Sequence, residues 1–399
     1  MCPFFHRTFN MNYDFFSPQQ ISFGWDRFRE VGQLAGSLGT RGLIICGSRS
    51  LEANGVIDEL KHLLSSANIS SEFIHTISNE PEVADVDQVT QILHQNEIRA
   101  GDFLIGIGGG SGIDLAKACA AMATNQESDT VLDYLEGVGR GFKLTQAPLP
   151  LLAIPTTAGT GSEATKNAVI SSYSPAFKKS LRADQMIPNL VLCDPKLACS
   201  VPPDITARTG MDAITQLLES YISGRAQPIP QALCLQGLKL ALPAIVEAVE
   251  DGTSRTSREN MAHASLLSGI ALANSGLGMA HGVAPALGIH CRIPHGLACA
   301  VMLPATLKTN LSVRQKEYAE ITRFIAPELS LSEAEAAQYL IDQIQSLNDR
   351  IQIPRRLSEL GVTRSQIPDL VASSRGNSMS GNPREISDAE LTQILAGLL

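Results

Sequence analysis

Aromatic residues are scarce: they make up 5% of the chain, with a single tryptophan. Alongside plentiful Ala, Leu, Ile and Gly, this favours helices and close backbone packing over a β-sandwich. No block of Lys or Arg stands out and the formal net charge is -9, which argues against a nucleic-acid surface while leaving small phosphate sites open. There is no CxxC pair. The eight cysteines are scattered and read as reduced core residues of a cytoplasmic protein. The opening MCPFFHRTFN lacks the long apolar stretch of a signal peptide. No apolar run reaches about 18 residues without polar breaks, so no membrane span is expected. What is present, 399 residues with 44% apolar and 18% charged, suits a well-packed protein of two domains.

The two halves have different periods. Short apolar runs at 43–46, 69–77, 103–107, 150–155 and 189–194 read as strands, and patterns at 56–66 and 86–96 read as helices. Strands separated by helices predict a mainly parallel sheet covered on both faces. After Pro202-Pro203 only helical patterns follow, at 204–223, 229–250, 258–274, 278–288, 295–310, 332–347 and 388–398. The expected fold is therefore an α/β N-terminal domain with a Rossmann-like parallel sheet, residues 1–200. An all-α C-terminal domain takes residues 201–399, the boundary falling near 195–203. No internal repeat or low-complexity segment is found.

The sharpest motif of the first half is Ile107-Gly108-Gly109-Gly110-Ser111-Gly112, followed by Asp114 and Lys117. An apolar strand feeds glycines and then a helix. Glycines let a backbone approach a phosphate closely, and the free N–H groups of a helix start favour the anion. A tight strand-to-helix turn with no ligand is the competing reading, and the pattern is not GxGxxG. A second loop, Pro155-Thr156-Thr157-Ala158-Gly159-Thr160-Gly161-Ser162-Glu163, can wrap a ribose, phosphate or amide. It can equally be an ordinary turn in which Ser162 or Thr160 caps a helix. Two such loops after strands fit ligand binding at the carboxyl ends of a parallel sheet. After residues 43–46, Gly47-Ser48-Arg49-Ser50 contains no acid to accept from a ribose 2′-hydroxyl. Ser48, Arg49 and Ser50 can instead donate to a 2′-phosphate, which favours NADP(H) over NAD(H). An Arg49 that is merely solvated is the bland alternative.

In the helical half, Asp212 and Gln216 are four apart and share a helix face. His281 and His295 each have a glycine neighbour, and Pro294 suits the first turn of a helix. An Asp with two His is a plausible set for a divalent first-row metal with open positions. A histidine in an apolar helix is nevertheless more often a satisfied core residue, and no HExxH signature supports the metal reading.

Taken together, these residues resemble the iron-containing (group III) alcohol dehydrogenases. The likeness runs from about Phe15 to the C-terminus. It includes Phe15-Phe16-Ser17-Pro18 with Phe23-Gly24, the glycine loop with Asp114 and Lys117, the Pro155 to Glu163 loop, and Cys193-Asp194-Pro195. It continues through Gly210-Met211-Asp212-Ala213, Gly276-Leu277-Gly278 with His281-Gly282, Pro294-His295-Gly296 and Asn382-Pro383-Arg384. The resemblance implies NAD(P)-dependent interconversion of small primary alcohols and aldehydes in a cleft between the domains. It implies Asp212, His281 and His295 as metal ligands, with Fe2+ ahead of Zn2+. It places Gly108, Gly109, Gly110 and Ser111 at the pyrophosphate, and Thr156, Thr157, Thr160 and Asp114 by the cofactor. Lys179 matches a cofactor-contacting lysine, and Asn167 sits where the family approaches substrate. A homodimer is the default assembly.

Two positions depart from the family pattern. The fourth ligand, often His, is Gln216 here, and an amide oxygen is a weaker ligand than imidazole. Four residues after His281, where many relatives carry a second His, stands Pro285, so water or the cofactor ribose must relay protons; His290 is a poor substitute. Gln216 keeps alive a metal-independent reductase akin to the maleylacetate reductases. A lyase like dehydroquinate synthase matches the helical half less well. A non-catalytic cofactor-binding protein conflicts with the intact Asp212, His281 and His295. Ser378 and Met379 are candidates for the pocket border. The first ten residues have no counterpart in the resemblance.

Overall fold

The computed structural model describes residues 12–399; the opening ten residues singled out above lie outside that span. The first half runs β1 (Gln20–Phe23), α1 (Val31–Ala35), β2 (Arg41–Cys46), α2 (Arg49–Ala53), α3 (Val56–Ser66), β3 (Ser70–Thr76), α4 (Val83–Gln95), β4 (Asp102–Gly108) and α5 (Gly110–Met122). It continues with β5 (Leu151–Pro155), the hairpin β6 (Asn167–Tyr173) and β7 (Ala176–Arg182), and β8 (Leu190–Cys193). Six strands form one parallel sheet in the order β1-β8-β5-β4-β2-β3, and β6 with β7 forms a separate antiparallel ribbon.

The alternation along β2 explains why the sheet is covered twice. Leu43 and Ile45 face one core with α4 and α5, while Ile44 and Cys46 face another with α1 and α3, as the two-residue period of a strand requires. The apolar runs predicted as strands are all present. β1 and the β6–β7 ribbon escaped prediction. β1 is a four-residue edge strand, and the only fully buried apolar residues of the ribbon are Ala168, Ile170 and Leu181, set among polar and lysine residues, with Pro175 interrupting it, so neither shows a continuous apolar run.

After β8 no strand occurs among the described residues. The chain continues as α6 (Pro203–Ile222), α7 (Pro228–Glu250), α8 (Arg255–Ser275), α9 (Met279–Cys291), α10 (His295–Ile325), α11 (Glu333–Arg350), α12 (Ile367–Ser373) and α13 (Asp388–Gly397). By length and composition α7 and α10 could each cross a membrane. In the fold, their apolar residues, such as Leu238, Ile245, Met302 and Leu303, are wholly buried in the core that α6 to α13 share.

The sheet order reverses between β2 and β4, because β3 lies beyond β2 on one side and β4, β5 and β8 on the other. That crevice is where a doubly wound sheet binds ligands. Here the backbones meet very closely. A Cβ on Gly108 (φ +150°) would lie 2.6 Å from Gly47 Cα, and one on Gly112 would lie 2.6 Å from the same atom. Gly112→Ala should therefore push α5 off the β2 turn. Its expected cost is about 1–3 kcal/mol, read as a lower urea midpoint with an unchanged m-value.

Candidate active site

Two cavities meet in the cleft between the sheet and the helices. The first, about 540 Å³, is lined by the β2 turn (Gly47, Ser48, Ser50), the glycine loop (Gly109, Gly110, Ser111), Thr156, Thr157 and Thr160. The second, about 430 Å³, is lined by Asn167, Lys178, Lys179, Gln216, His281, Pro285 and Met379, among others. Gly110, Ser111, Thr160, Asp212 and His295 border both, so the two form one continuous cleft. The glycine-loop end has the N-terminus of α5 and the threonine hydroxyls, the donors a pyrophosphate needs.

The threonine loop is docked onto the helices. Gly161 has φ +59°, and a Cβ there would lie 2.5 Å from Gly269 Cα on α8; a Cβ on Gly159 would lie 2.6 Å from Thr209 Cβ on α6. Beneath it Lys117 is fully buried, donating to Thr165 Oγ1 at 2.7 Å and to the Ser162 carbonyl at 2.9 Å. Burial lowers its pKa to about 8 against the pull of Asp114 and Glu163. Asp114, expected to touch the cofactor, spends both carboxylate oxygens inside the protein, accepting from the Ser162 hydroxyl and the Val169 amide. Although it borders the second cavity, its contacts hold the glycine helix to the threonine loop and β6. Ser48 Oγ accepts from the Ser50 amide and so caps α2, while Arg49 is exposed.

Asp212, His281 and His295 come together. His281 Nε2 lies 3.2 Å from Asp212 Oδ1, and His295 Nε2 lies 3.8 Å from the same oxygen. The local sequence explains the convergence. Asp212 is on α6, His281 is in the first turn of α9 and His295 opens α10. A Cβ on Gly296 would lie 2.3 Å from the Arg208 carbonyl, so only glycine lets the start of α10 press on α6.

Glu219, seven residues after Asp212 on α6, was not predicted. Its carboxylate has no exposure and accepts from the Ala280 amide at 2.7 Å, the His281 amide at 3.3 Å and His281 Nδ1 at 2.7 Å. One acid thus satisfies the unpaired N–H groups at the start of α9 and fixes the imidazole with Nε2 toward Asp212. Asn382 supports the same helix start by accepting from the Met279 amide at 3.2 Å. The spacing of Asp212, Gln216 and Glu219, four then three, was the signal available in the sequence.

Burial would raise the Asp212 carboxyl, but His295 and His281 outweigh it and hold its pKa below the usual carboxylate value. Burial would likewise lower His281. Cys299, Asp212 and Glu219 reverse this and hold it well above the ordinary histidine value. His295 goes the other way, lowered by burial to about 4 despite Asp212. Its Nδ1 is buried without a hydrogen-bond partner among the described residues, so whatever fixes the ring acts through Nε2. An anionic oxygen and two Nε2 atoms directed at one point suit a divalent cation. The donor set is completed to four side chains by Cys299, the four ligand atoms all lying within 4.8 Å of one another.

The remaining candidates divide. Asn167 lines the second cavity near Ser180 and Arg182, at 3.5 Å from each. Lys179 lines it too, but the neighbouring Lys178 is the buried one, its ammonium 2.6 Å from Glu80, and it was missed. Ser378 and Met379 both border this cavity. His290 is spent on Ser373 at 2.7 Å. Gln216 has partners at both ends of its amide: the oxygen lies 2.7 Å from the Ser268 hydroxyl, whose one proton the Ser265 carbonyl also draws at 2.7 Å, and the nitrogen donates to the Thr160 carbonyl at 3.2 Å.

Comparison with known proteins agrees along the whole chain. Residues 18–195 match the family described as iron-containing alcohol dehydrogenase, and residues 206–399 match the C-terminal part of that family. A curated NADPH-dependent butanol dehydrogenase from Clostridium saccharobutylicum is 30% identical, over 94% of this chain and 95% of the relative. An NAD-dependent methanol dehydrogenase from Bacillus methanolicus is 29% identical, over 97% and 100%. A solved structure of 1,3-propanediol oxidoreductase superposes with a TM-score of 0.90 at 30% identity, covering 97% of this chain and all of that one. The arrangement at His281 makes a direct prediction. Glu219→Gln should weaken divalent-metal binding by roughly 10–100-fold, measured by competition with a chelator, while the far-ultraviolet spectrum stays native.

Proposed function

The chain belongs to the iron-containing alcohol dehydrogenase family, and we propose that it interconverts a small primary alcohol and its aldehyde in this cleft, with a divalent metal at Asp212, His281 and His295. It is a nicotinamide-dependent oxidoreductase. The observation that carries the rest of the reading is the convergence of those three side chains on the same cleft as the glycine loop. The substrate class is supported by the relatives, which act on propanediol, butanol and methanol, and by a second cavity of about 430 Å³.

The protein's own groups divide the work. The start of α5, with Gly109, Gly110 and Ser111, receives the pyrophosphate, and Thr156, Thr157 and Thr160 donate along the cofactor toward the second cavity. Asp212, His281 and His295 would hold the metal, which when bound acts as a Lewis acid that lowers the pKa of an alcohol and polarises a carbonyl. Asn167, Lys178 and Lys179 line the wall where the substrate lies. A nicotinamide held by these loops would supply the hydride acceptor or donor, and the cleft would hold the substrate carbon against it with water excluded. Pro285 offers no proton carrier at its own position.

The cofactor reading is NADP(H) in preference to NAD(H). Ser48, Arg49 and Ser50 supply donors and the turn has no acid. The nearest one, Glu52, already accepts from Thr76. Relatives of both preferences exist, so the support comes from this turn. Arg49→Ala should lower the ratio of kcat/KM for NADPH over NADH by tenfold or more, about 1.4 kcal/mol; an unchanged ratio overturns the preference. For the metal, elemental analysis of anaerobically purified protein should find one iron or zinc per chain. Asp212→Ala should lose both metal and aldehyde reduction. Aldehyde reduction by protein free of metal, with none taken up on addition, would instead support a metal-independent carbonyl reductase.

A further inference from the structure

We propose that Cys299 is the fourth metal ligand, in place of the residue at position 216, and that the site is consequently a sulfur-bearing one that prefers zinc to ferrous iron. This rests on the metal reading above. Three observations support it.

First, position 216 is committed elsewhere. Its amide bridges Thr160 on the α/β side and Ser268 on α8. The Thr160 carbonyl can only accept, so it fixes the amide with nitrogen on that side and oxygen toward Ser268.

Second, Cys299 is in place. It follows His295 by four residues on α10, so the two side chains share a helix face. Its sulfur lies 3.8 Å from His295 Nε2. Zinc bonds of about 2.3 Å to sulfur and 2.0–2.1 Å to nitrogen in a tetrahedron set donors about 3.6 Å apart, so that edge needs little adjustment. Cys299 has no exposure and lines neither cavity. It therefore approaches from inside the helical core and leaves the cavity side open for water or substrate, as a catalytic site requires.

Third, the ligand chemistry fits. Metal ligands bind deprotonated, so Cys299 would bind as a thiolate and Asp212 as a carboxylate, beside two imidazoles. Thiolate with imidazole favours zinc, whereas oxygen ligands favour harder ions.

Cobalt(II) titrated into the full-length apoprotein tests this directly. One equivalent should produce an intense near-ultraviolet thiolate-to-cobalt charge-transfer band. The band should vanish in Cys299→Ala and Cys299→Ser and persist in Gln216→Ala and in Cys193→Ala, a substitution of another buried cysteine. X-ray absorption of the wild-type zinc form should count one sulfur at about 2.3 Å, which decides the matter even if the Cys299 variants fail to fold. The preference for zinc over ferrous iron should fall at least tenfold in Cys299→Ala. Cobalt bound tightly, and lost in His281→Ala, but with no sulfur band and no sulfur scatterer overturns the role of Cys299 and leaves the metal site standing. A band that survives in Cys299→Ala overturns it likewise. No cobalt binding at all overturns both.

Discussion

A carboxylate without access to water, Glu219, holds the helical half of the site in order. Burying such a charge is costly unless every lone pair finds a donor. Here the donors are two amides at the start of α9 and the Nδ1 of His281. A helix start has unpaired N–H groups and a positive end, which a carboxylate satisfies and neutralises. The same contact orients the imidazole, so the other ring nitrogen faces Asp212. The position of α9, the tautomer of His281 and the direction of its lone pair are thus one interaction. Burial opposes a charged His281, but Cys299, Asp212 and Glu219 around it hold its pKa high. A divalent ion held by Asp212, His281 and His295 would sit in that same field.

On the α/β side, the corresponding constraint is steric. Gly47, Gly108 and Gly112 bring the turns after β2 and β4 closer than any Cβ would allow, and this approach opens the crevice at the reversal of the sheet order. The threonine loop is then pinned to α6 and α8 through Gly159 and Gly161. The glycine and threonine loops and the helices bearing Asp212 and His281 are therefore parts of one packed unit, held by backbone contact.

Much of this was legible in the sequence, and the exceptions have physical causes. Buried parallel strands such as residues 43–46 announce themselves as apolar runs. β1 and the β6–β7 ribbon do not, since an edge and a polar ribbon have no two-sided burial to signal. Glycine loops and histidines with glycine neighbours were readable because close approach demands them. Lys178 was passed over beside Lys179 because its pairing with Glu80, distant in sequence, is set by the fold. Glu219 and Cys299 were passed over for opposite reasons, although the helical spacing of Glu219 from Asp212 was there to be read. A glutamate on a long helix reads as solvated surface, and a cysteine among Ala, Val and Met reads as core. Their roles follow from what lies opposite them, which no one-dimensional period encodes.

Set four residues from Asp212, Gln216 reads in the sequence as a weakened ligand. In the fold its amide is a tie between the threonine loop and α8, with both ends used. An imidazole cannot make that tie in the same way, because in its neutral form it has one donor and one acceptor, set rigidly across a ring. The amide at 216 ties the threonine loop to α8, and on the metal reading a weaker donor stands there than imidazole. Cys299, one helical turn beyond His295, is positioned to restore that donor from the interior side. On the proposal that Cys299 is a ligand, the departure at 216 would move one donor from α6 to α10 and leave the donor set at four.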